Sequence, residues 1–143
     1  MSVRRPTAAD RSALIERLGG ARAVDQASHR AHVSEEGAEQ GVALWIEPGP
    51  GGEPYLGTVK AAPENRKLFY QLIEACARDA FERGYARASF TVRDHRLLSR
   101  IQRDFQVEPQ AIGWDAGSGE PVEWDVLVDL EDALGQLRRV IDA

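Results

Sequence analysis

Residues 57–92 constrain this chain more than any other stretch. They run Gly-Thr-Val-Lys-Ala-Ala, then Pro-Glu-Asn-Arg-Lys, then a long amphipathic segment, then Gly84-Tyr85, and close with Arg-Ala-Ser-Phe-Thr-Val. Leu68, Phe69, Leu72, Ile73, Cys76, Ala77, Ala80 and Phe81 recur at helical spacing and form one apolar face. Arg66, Lys67, Glu74, Arg78, Asp79, Glu82 and Arg83 fall on the other. Pro63 suits a helix start, where its missing N–H has no partner to lose. Gly84 suits a helix exit, where a left-handed residue is often needed. The stretch therefore reads strand, turn, helix, turn, strand. Two strands joined through a helix are parallel neighbours with a right-handed crossover.

The flanking segments extend this unit into a mixed layer structure. Upstream, residues 2–5 read as a short strand. Thr7 with Asp10 resembles a capping box, and the helix from Ala8 carries Leu14, Ile15 and Leu18. A second, alanine-rich helix is expected over residues 21–31 and a loop over 34–40. Val42-Ala-Leu-Trp45-Ile46 is an apolar strand, and Pro48-Gly-Pro-Gly-Gly52 turns it back into the strand 55–61. Downstream, Asp94 caps a short helix bearing Leu97, Leu98, Ile101 and Phe105. Residues 109–114 form a strand. Val122, Trp124, Val126 and Val128 alternate with polar positions as a half-wet strand does. Asp129 caps a last helix with Leu130, Leu134, Leu137, Val140 and Ile141 inward. The predicted order is β-α-α-β-β-α-β-α-β-β-α, an α/β fold with a sheet of mixed strand direction in a single domain, residues 1–143, with a C-terminal helix at about 129–142 appended.

Composition narrows the function classes. At 143 residues with 43% hydrophobic and 29% charged side chains, the chain can bury one core. Eighteen basic against 23 acidic side chains give a net charge of −5, which argues against a protein built to grip nucleic acid. A single cysteine, Cys76, rules out an intramolecular disulfide and fits a reducing, cytoplasmic setting. No apolar run approaches the ~20 residues of a membrane span.

On these residues the chain resembles the GNAT-type N-acetyltransferases. Val3-Arg4-Arg5-Pro6-Thr7-Ala8-Ala9-Asp10 looks like that family's opening strand and helix start. Residues 56–61, 64–83 and 84–92 are similar to its central β-α-β unit, and residues 94–105 stand where it has its last helix. The resemblance implies an acyl-CoA N-acyltransferase fold in which a bulge splays the two parallel strands. It implies acetyl-CoA as cofactor, with the pantetheine along the backbone of residues 59–61 and with Val59, Ala61, Asn65, Arg66 and Lys67 as binding residues. The acceptor would be a small-molecule or peptide amine that attacks the thioester directly.

Three departures bear on activity. The family's Q/R-x-x-G-x-G/A phosphate cradle is replaced by Ala62-Pro-Glu-Asn-Arg-Lys67, which has no glycine. Arg100 stands where the family often has a tyrosine, and an arginine is a poor proton donor. Asp104 replaces the glycine of the closing Gly-Phe pair. No general acid or base is assigned by the pattern. The competing reading is a GNAT-like domain without catalysis, a binding or assembly module forming a homodimer through its C-terminal hairpin and helix.

Other chemistry-bearing residues carry a functional and a structural reading. Arg66, Lys67, Arg93 and Arg96 could form a basic rim for phosphates, or be surface charges with local partners. His29 and His32, three apart on the expected second helix, could begin a metal site or simply be packed. His95 could be a base or a surface helix-start residue. Cys76 falls on an apolar face, which favours a small core hydrophobe over a nucleophile. Glu47, Glu53, Glu123 and Asp125 flank strand ends; any of them could be an acceptor-site base, and nothing in the pattern picks one, while carboxylates there are ordinarily solvated. Trp45, Trp114 and Trp124 suit the core or a sheet edge, and the last two would pair across the Gly117–Gly119 turn if they face each other.

Overall fold

The computed structural model describes residues 3–18, 20, 24, 32–34, 41–49, 51–61 and 66–142. Its elements are β1 (Val3–Arg4), a 3-10 turn (Ala8–Asp10), α1 (Arg11–Leu18), β2 (His32–Ser34), β3 (Gly41–Ile46), β4 (Tyr55–Lys60), α2 (Arg66–Glu82), β5 (Arg87–Val92), α3 (His95–Asp104), β6 (Glu108–Trp114), β7 (Pro121–Asp129) and α4 (Leu130–Asp142). The strands make one seven-stranded sheet in the order β1-β2-β3-β4-β5-β7-β6. Every neighbouring pair is antiparallel except β4 and β5. The central β-α-β unit is therefore as the sequence predicts. Among the described residues no helix is long and apolar enough to cross a membrane.

The strand β2 is an addition to the predicted order. His32 was expected on a helix and Ser34 in a loop, yet both pair with β3, His32 opposite Ala43 and Ser34 opposite Gly41. Three residues are too few to show a period of two. The rest of the expected second helix and loop lies outside the described residues, apart from Val24, which is helical.

Side-chain alternation sends the core to both faces of the sheet. On one face Ala43, Trp45 and Ala88 meet Leu68, Tyr70, Leu72, Cys76, Ala77 and Ala80 of α2 and Leu130, Leu134 and Leu137 of α4. The same face continues under α3, where Leu98 packs with Val92, Trp124 and Val126. On the other face Leu14 of α1 packs with Val33, Val42 and Leu44. Because α2 packs against both the sheet and α4, it buries more of its circumference than one stripe, including Tyr70 and Ala75. Phe81, counted on the apolar face, lies at the last turn and is 43% exposed.

Helix ends follow the sequence signals. Gly84 adopts φ +95°, and the Tyr85 N–H donates to the Ala80 carbonyl at 3.2 Å, closing α2 in the Schellman manner. The Asp94 carboxylate accepts from the Arg96 N–H at 2.8 Å, and Asp129 accepts from the Asp132 N–H at 3.0 Å. Asp79, low on α2, ties the helix to the sheet edge, 2.9 Å from Arg5 and 3.2 Å from His32 Nε2.

At the first turn Asp10 accepts from the Thr7 N–H at 2.6 Å and from both Arg4 terminal nitrogens at 2.8 and 3.0 Å. The Arg4 hydrogen bonds, and after them the Thr7 N–H, hold the Asp10 carboxyl well below the usual carboxylate range. A carboxyl depressed in the folded state stabilises fully above its unfolded value of about 3.9 and progressively less below it. Asp10→Asn is therefore expected to destabilise the protein at neutral pH, with the gap from wild type shrinking in acid. Urea denaturation of both proteins at pH 7 and about pH 2.5 checks this. A gap of equal size at both pH values would refute it.

Candidate functional site

The parallel junction at the centre of the sheet is short. Tyr55 lies opposite Ser89 and Leu56 opposite Phe90, and the register ends there. One residue later β4 bulges. Thr58 still faces Leu44 of β3, but Leu56 faces Trp45, so Gly57 is the extra residue. Beyond Leu56 the strands β4 and β5 diverge as the arms of a fork. Their facing edges, residues 57–59 and 91–92, leave the shared ladder and present backbone groups that an extended ligand can use.

The fork opens into a cavity of about 200 Å³. Leu56, Gly57, Thr58 and Val59 line it from β4, and residues 88–92 from β5. Its walls are Phe69, Tyr70, Ile73 and Ala77 of α2, Leu97 and Ile101 of α3 with Phe105 just beyond, and Leu130, Ala133 and Leu137 of α4. The lining is overwhelmingly apolar, so water gains little there and an apolar chain gains much.

A buried donor and a hydrogen-bonded chain adjoin this lining. Trp45 is 2% exposed, and among the described residues its indole Nε1–H has no hydrogen-bond partner. A buried unpaired donor costs about 1–3 kcal/mol. Thr91 is the lining residue of a hydrogen-bonded chain on the other face of the sheet: the Tyr55 hydroxyl lies 2.7 Å from Thr91 Oγ1, which in turn donates to Asp125 Oδ1 at 3.4 Å, and neither Tyr55 nor Asp125 lines the cavity itself. With Thr91 donating to the carboxylate, Tyr55 is left to donate to Thr91. Its oxygen then has lone pairs for a further donor.

The sequence-predicted binding residues separate as follows. Val59 lines the cavity, and Ala61 is partly buried against the same core. Asn65 lies outside the described residues, as do residues 62–64. Arg66 and Lys67 open α2 and are exposed. The Arg66 guanidinium stands 5.7 Å over the Tyr70 ring and 3.5 Å from Asp104 Oδ2. Tyr70 and Phe105 are themselves in contact, with ring centroids 6.0 Å apart. The ion pair thus joins the first turn of α2 to the last turn of α3, just outside two aromatic walls of the cavity.

The structure decides between several paired readings and corrects others. The basic rim is not a free one: Arg66 faces Asp104, and Arg93 Nε lies 3.2 Å from Glu123. His32 is a buried strand residue beside Asp79 rather than a helical metal ligand, and His29 lies outside the described residues. No metal-ligand cluster occurs among the described residues. Glu47 is not solvated: Arg83 grips it with two hydrogen bonds, at 2.7 and 2.6 Å. Trp114 and Trp124 are not cross-strand partners. Register shifts beside Gly113 place Trp114 opposite Pro121 and Trp124 opposite Ala111, and Trp114 is 58% exposed. His95 packs edge-on to Trp124 at 5.9 Å, away from the cavity lining. Cys76 is buried, as its place on the apolar face of α2 predicts.

Sequence reasoning missed Trp45 as a cavity wall, the Tyr55–Thr91–Asp125 chain and the Arg66–Asp104 bridge. Two of these left a trace: the chain in Asp125, one of four strand-end carboxylates, and the bridge in the acidic residue that replaces the family's glycine.

No family model and no curated protein matches this chain. Solved structures do. An acetyltransferase from Bacillus subtilis in complex with CoA is 14% identical, with a TM-score of 0.58 over 90% of this chain and 96% of its own. A GNAT-family acetyltransferase from Bacillus cereus is 10% identical, with a TM-score of 0.63 over 90% and 96%. YncA from Salmonella typhimurium, with its cofactor acetyl-CoA, is 17% identical, with a TM-score of 0.61 over 91% and 94%. The chain has the GNAT fold.

Proposed function

We propose that this protein is an N-acyltransferase that moves an acyl group from acyl-CoA to an amine. The observation that carries the reading is the fork. Two parallel strands part after Leu56 and Phe90 beside a bulge at Gly57, and an apolar cavity fills the gap. A pantetheine arm is a narrow chain with amide groups, and it suits a site with an apolar wall and an unpaired strand edge. Several structural neighbours hold CoA or acetyl-CoA, which supports the same ligand here. The residues present fit it: the Val59–Ala61 edge for the amides, Phe69, Ile73, Leu97 and Ile101 for the apolar flanks, and Arg66 and Lys67 at the helix start for the diphosphate.

Bound acyl-CoA supplies an activated thioester. As the acceptor nitrogen bonds to the acyl carbon, the C–S bond breaks and the thiolate leaves. Tyr55, Thr91 and Asp125 then provide a route for the nitrogen's proton. The Tyr55 oxygen accepts it, Tyr55 donates onward to Thr91, and Asp125 receives it at the solvent side. The sheet and the three helices exclude water from the thioester. The acidic surface tolerates a cationic amine, which is the acceptor class we assign.

The test has two arms. CoA at millimolar concentration is expected to raise the melting temperature, because a ligand bound only by the folded state stabilises it. Thr91→Val should keep that rise and slow transfer to a primary amine by about 10²-fold, the usual weight of a proton-transfer group. No thermal shift with any CoA species would sink the reading. A shift with unchanged turnover in Thr91→Val would sink the proton route alone.

A further inference from the structure

The cavity reaches past the junction of β4 and β5. The closed end of the fork is fixed by Tyr55 opposite Ser89 and Leu56 opposite Phe90. Ala88 precedes Ser89, Val128 pairs with Ala88, and the Leu130 N–H bonds to the Ala86 carbonyl, so this group lies on the far side of the junction from the open arms. Ala88, Val128, Leu130 and Leu137 nevertheless line the cavity. Along α2 the lining likewise continues from Ile73 to Ala77, one further helical turn of about 6 Å. At the far end three wall positions are alanine: Ala77, Ala88 and Ala133. Small side chains there leave the space open.

We infer that the far end of the cavity, beyond the β4–β5 junction, is an acyl-chain pocket, and that the group carried is an unbranched or lightly branched acyl chain of roughly four to six carbons rather than acetyl. This rests on the acyl-CoA reading above. The tail lies between α2 and α4, against Ala77, Ala88, Ala133 and Leu137. The C-terminal helix therefore builds the wall that sets chain length.

Binding measured without turnover tests this. Acetyl-, butanoyl-, hexanoyl- and decanoyl-CoA are titrated against the wild-type protein by calorimetry. Each added methylene is expected to raise affinity about three- to fourfold until the pocket is full, and decanoyl-CoA to fall back. Ala133→Leu should erase the advantage of hexanoyl over acetyl while leaving acetyl-CoA binding in place. If that variant does not fold, the wild-type series alone decides. Equal affinity for all four thioesters, or a continuous rise through decanoyl, would overturn the pocket and leave the acyl-CoA reading intact. Failure of every thioester and of CoA itself would overturn both.

Discussion

Leu72→Ala is expected to lower stability by about 2–5 kcal/mol, enough to move the melting temperature down by roughly 8–15 °C. Leu72 is fully buried on α2, in the core that α2, β3 and α4 share. The loss combines the transfer free energy of the removed methyls with the cavity they leave. Total stability of a domain this size is about 5–15 kcal/mol, so the variant approaches the threshold of folding. Leu72 also meets β3 closely. A Cβ on Gly41 would lie 2.6 Å from Leu72 Cδ1 and 3.1 Å from Leu68 Cδ2. Gly41→Ala alone should therefore cost about 1–3 kcal/mol by overpacking. Placed on Leu72→Ala, the same methyl enters vacated space, and the double variant should be more stable than the sum of the two losses predicts. Urea denaturation of the four proteins measures this. Strict additivity would mean that the helix and β3 do not share this contact.

The helix that Leu72 anchors is also the element that the sequence disclosed best. Its apolar spacing, Gly84 and the flanking strands specify the β-α-β unit because these signals are local and recur over many residues. The cap residues Asp94 and Asp129 were legible for the same reason. What was hidden depends on register. Thr91 meets Asp125 only because β5 pairs with β7 in one alignment, and Tyr55 meets Thr91 only across the parallel junction. Trp114 missed Trp124 because the ladder shifts on both sides of Gly113. No single-sequence period encodes such shifts. His32 was misplaced by its distance of three from His29, a helical spacing that a short strand also permits. Within the site, Val59 was placed by analogy with the family strand. Trp45 was read only as a core filler, since burial leaves no mark in sequence on whether an indole N–H finds a partner. Asp104 was noticed as a departure from the family pattern, but its reach to Arg66 joins two helices and needed coordinates.

That bridge yields the second large effect, and its sign is informative. Under the acyl-CoA reading the diphosphate lies at the start of α2, where the helix dipole favours an anion. Arg66 and Lys67 add two positive charges there. Arg66→Glu with Lys67→Glu replaces attraction with repulsion, and CoA affinity is expected to fall by about 100-fold or more, near 3 kcal/mol. Asp104→Asn should act the other way. In the free protein Asp104 holds Arg66 at 3.5 Å, and Arg66 remains 52% exposed, so the pair is worth only about 0.2–1 kcal/mol. Removing the acid frees the guanidinium for the diphosphate and deletes a like charge from its surroundings. Affinity should rise about three- to tenfold, most at low salt and least near 1 M, where charges are screened within ~3 Å. Tyr70 keeps the freed Arg66 close, since its ring lies under the guanidinium irrespective of Asp104. Calorimetric titration with CoA at two ionic strengths reads both variants. Weaker binding by Asp104→Asn would show that the bridge helps to build the site rather than guard it. An unchanged affinity in the double glutamate variant would place the diphosphate elsewhere.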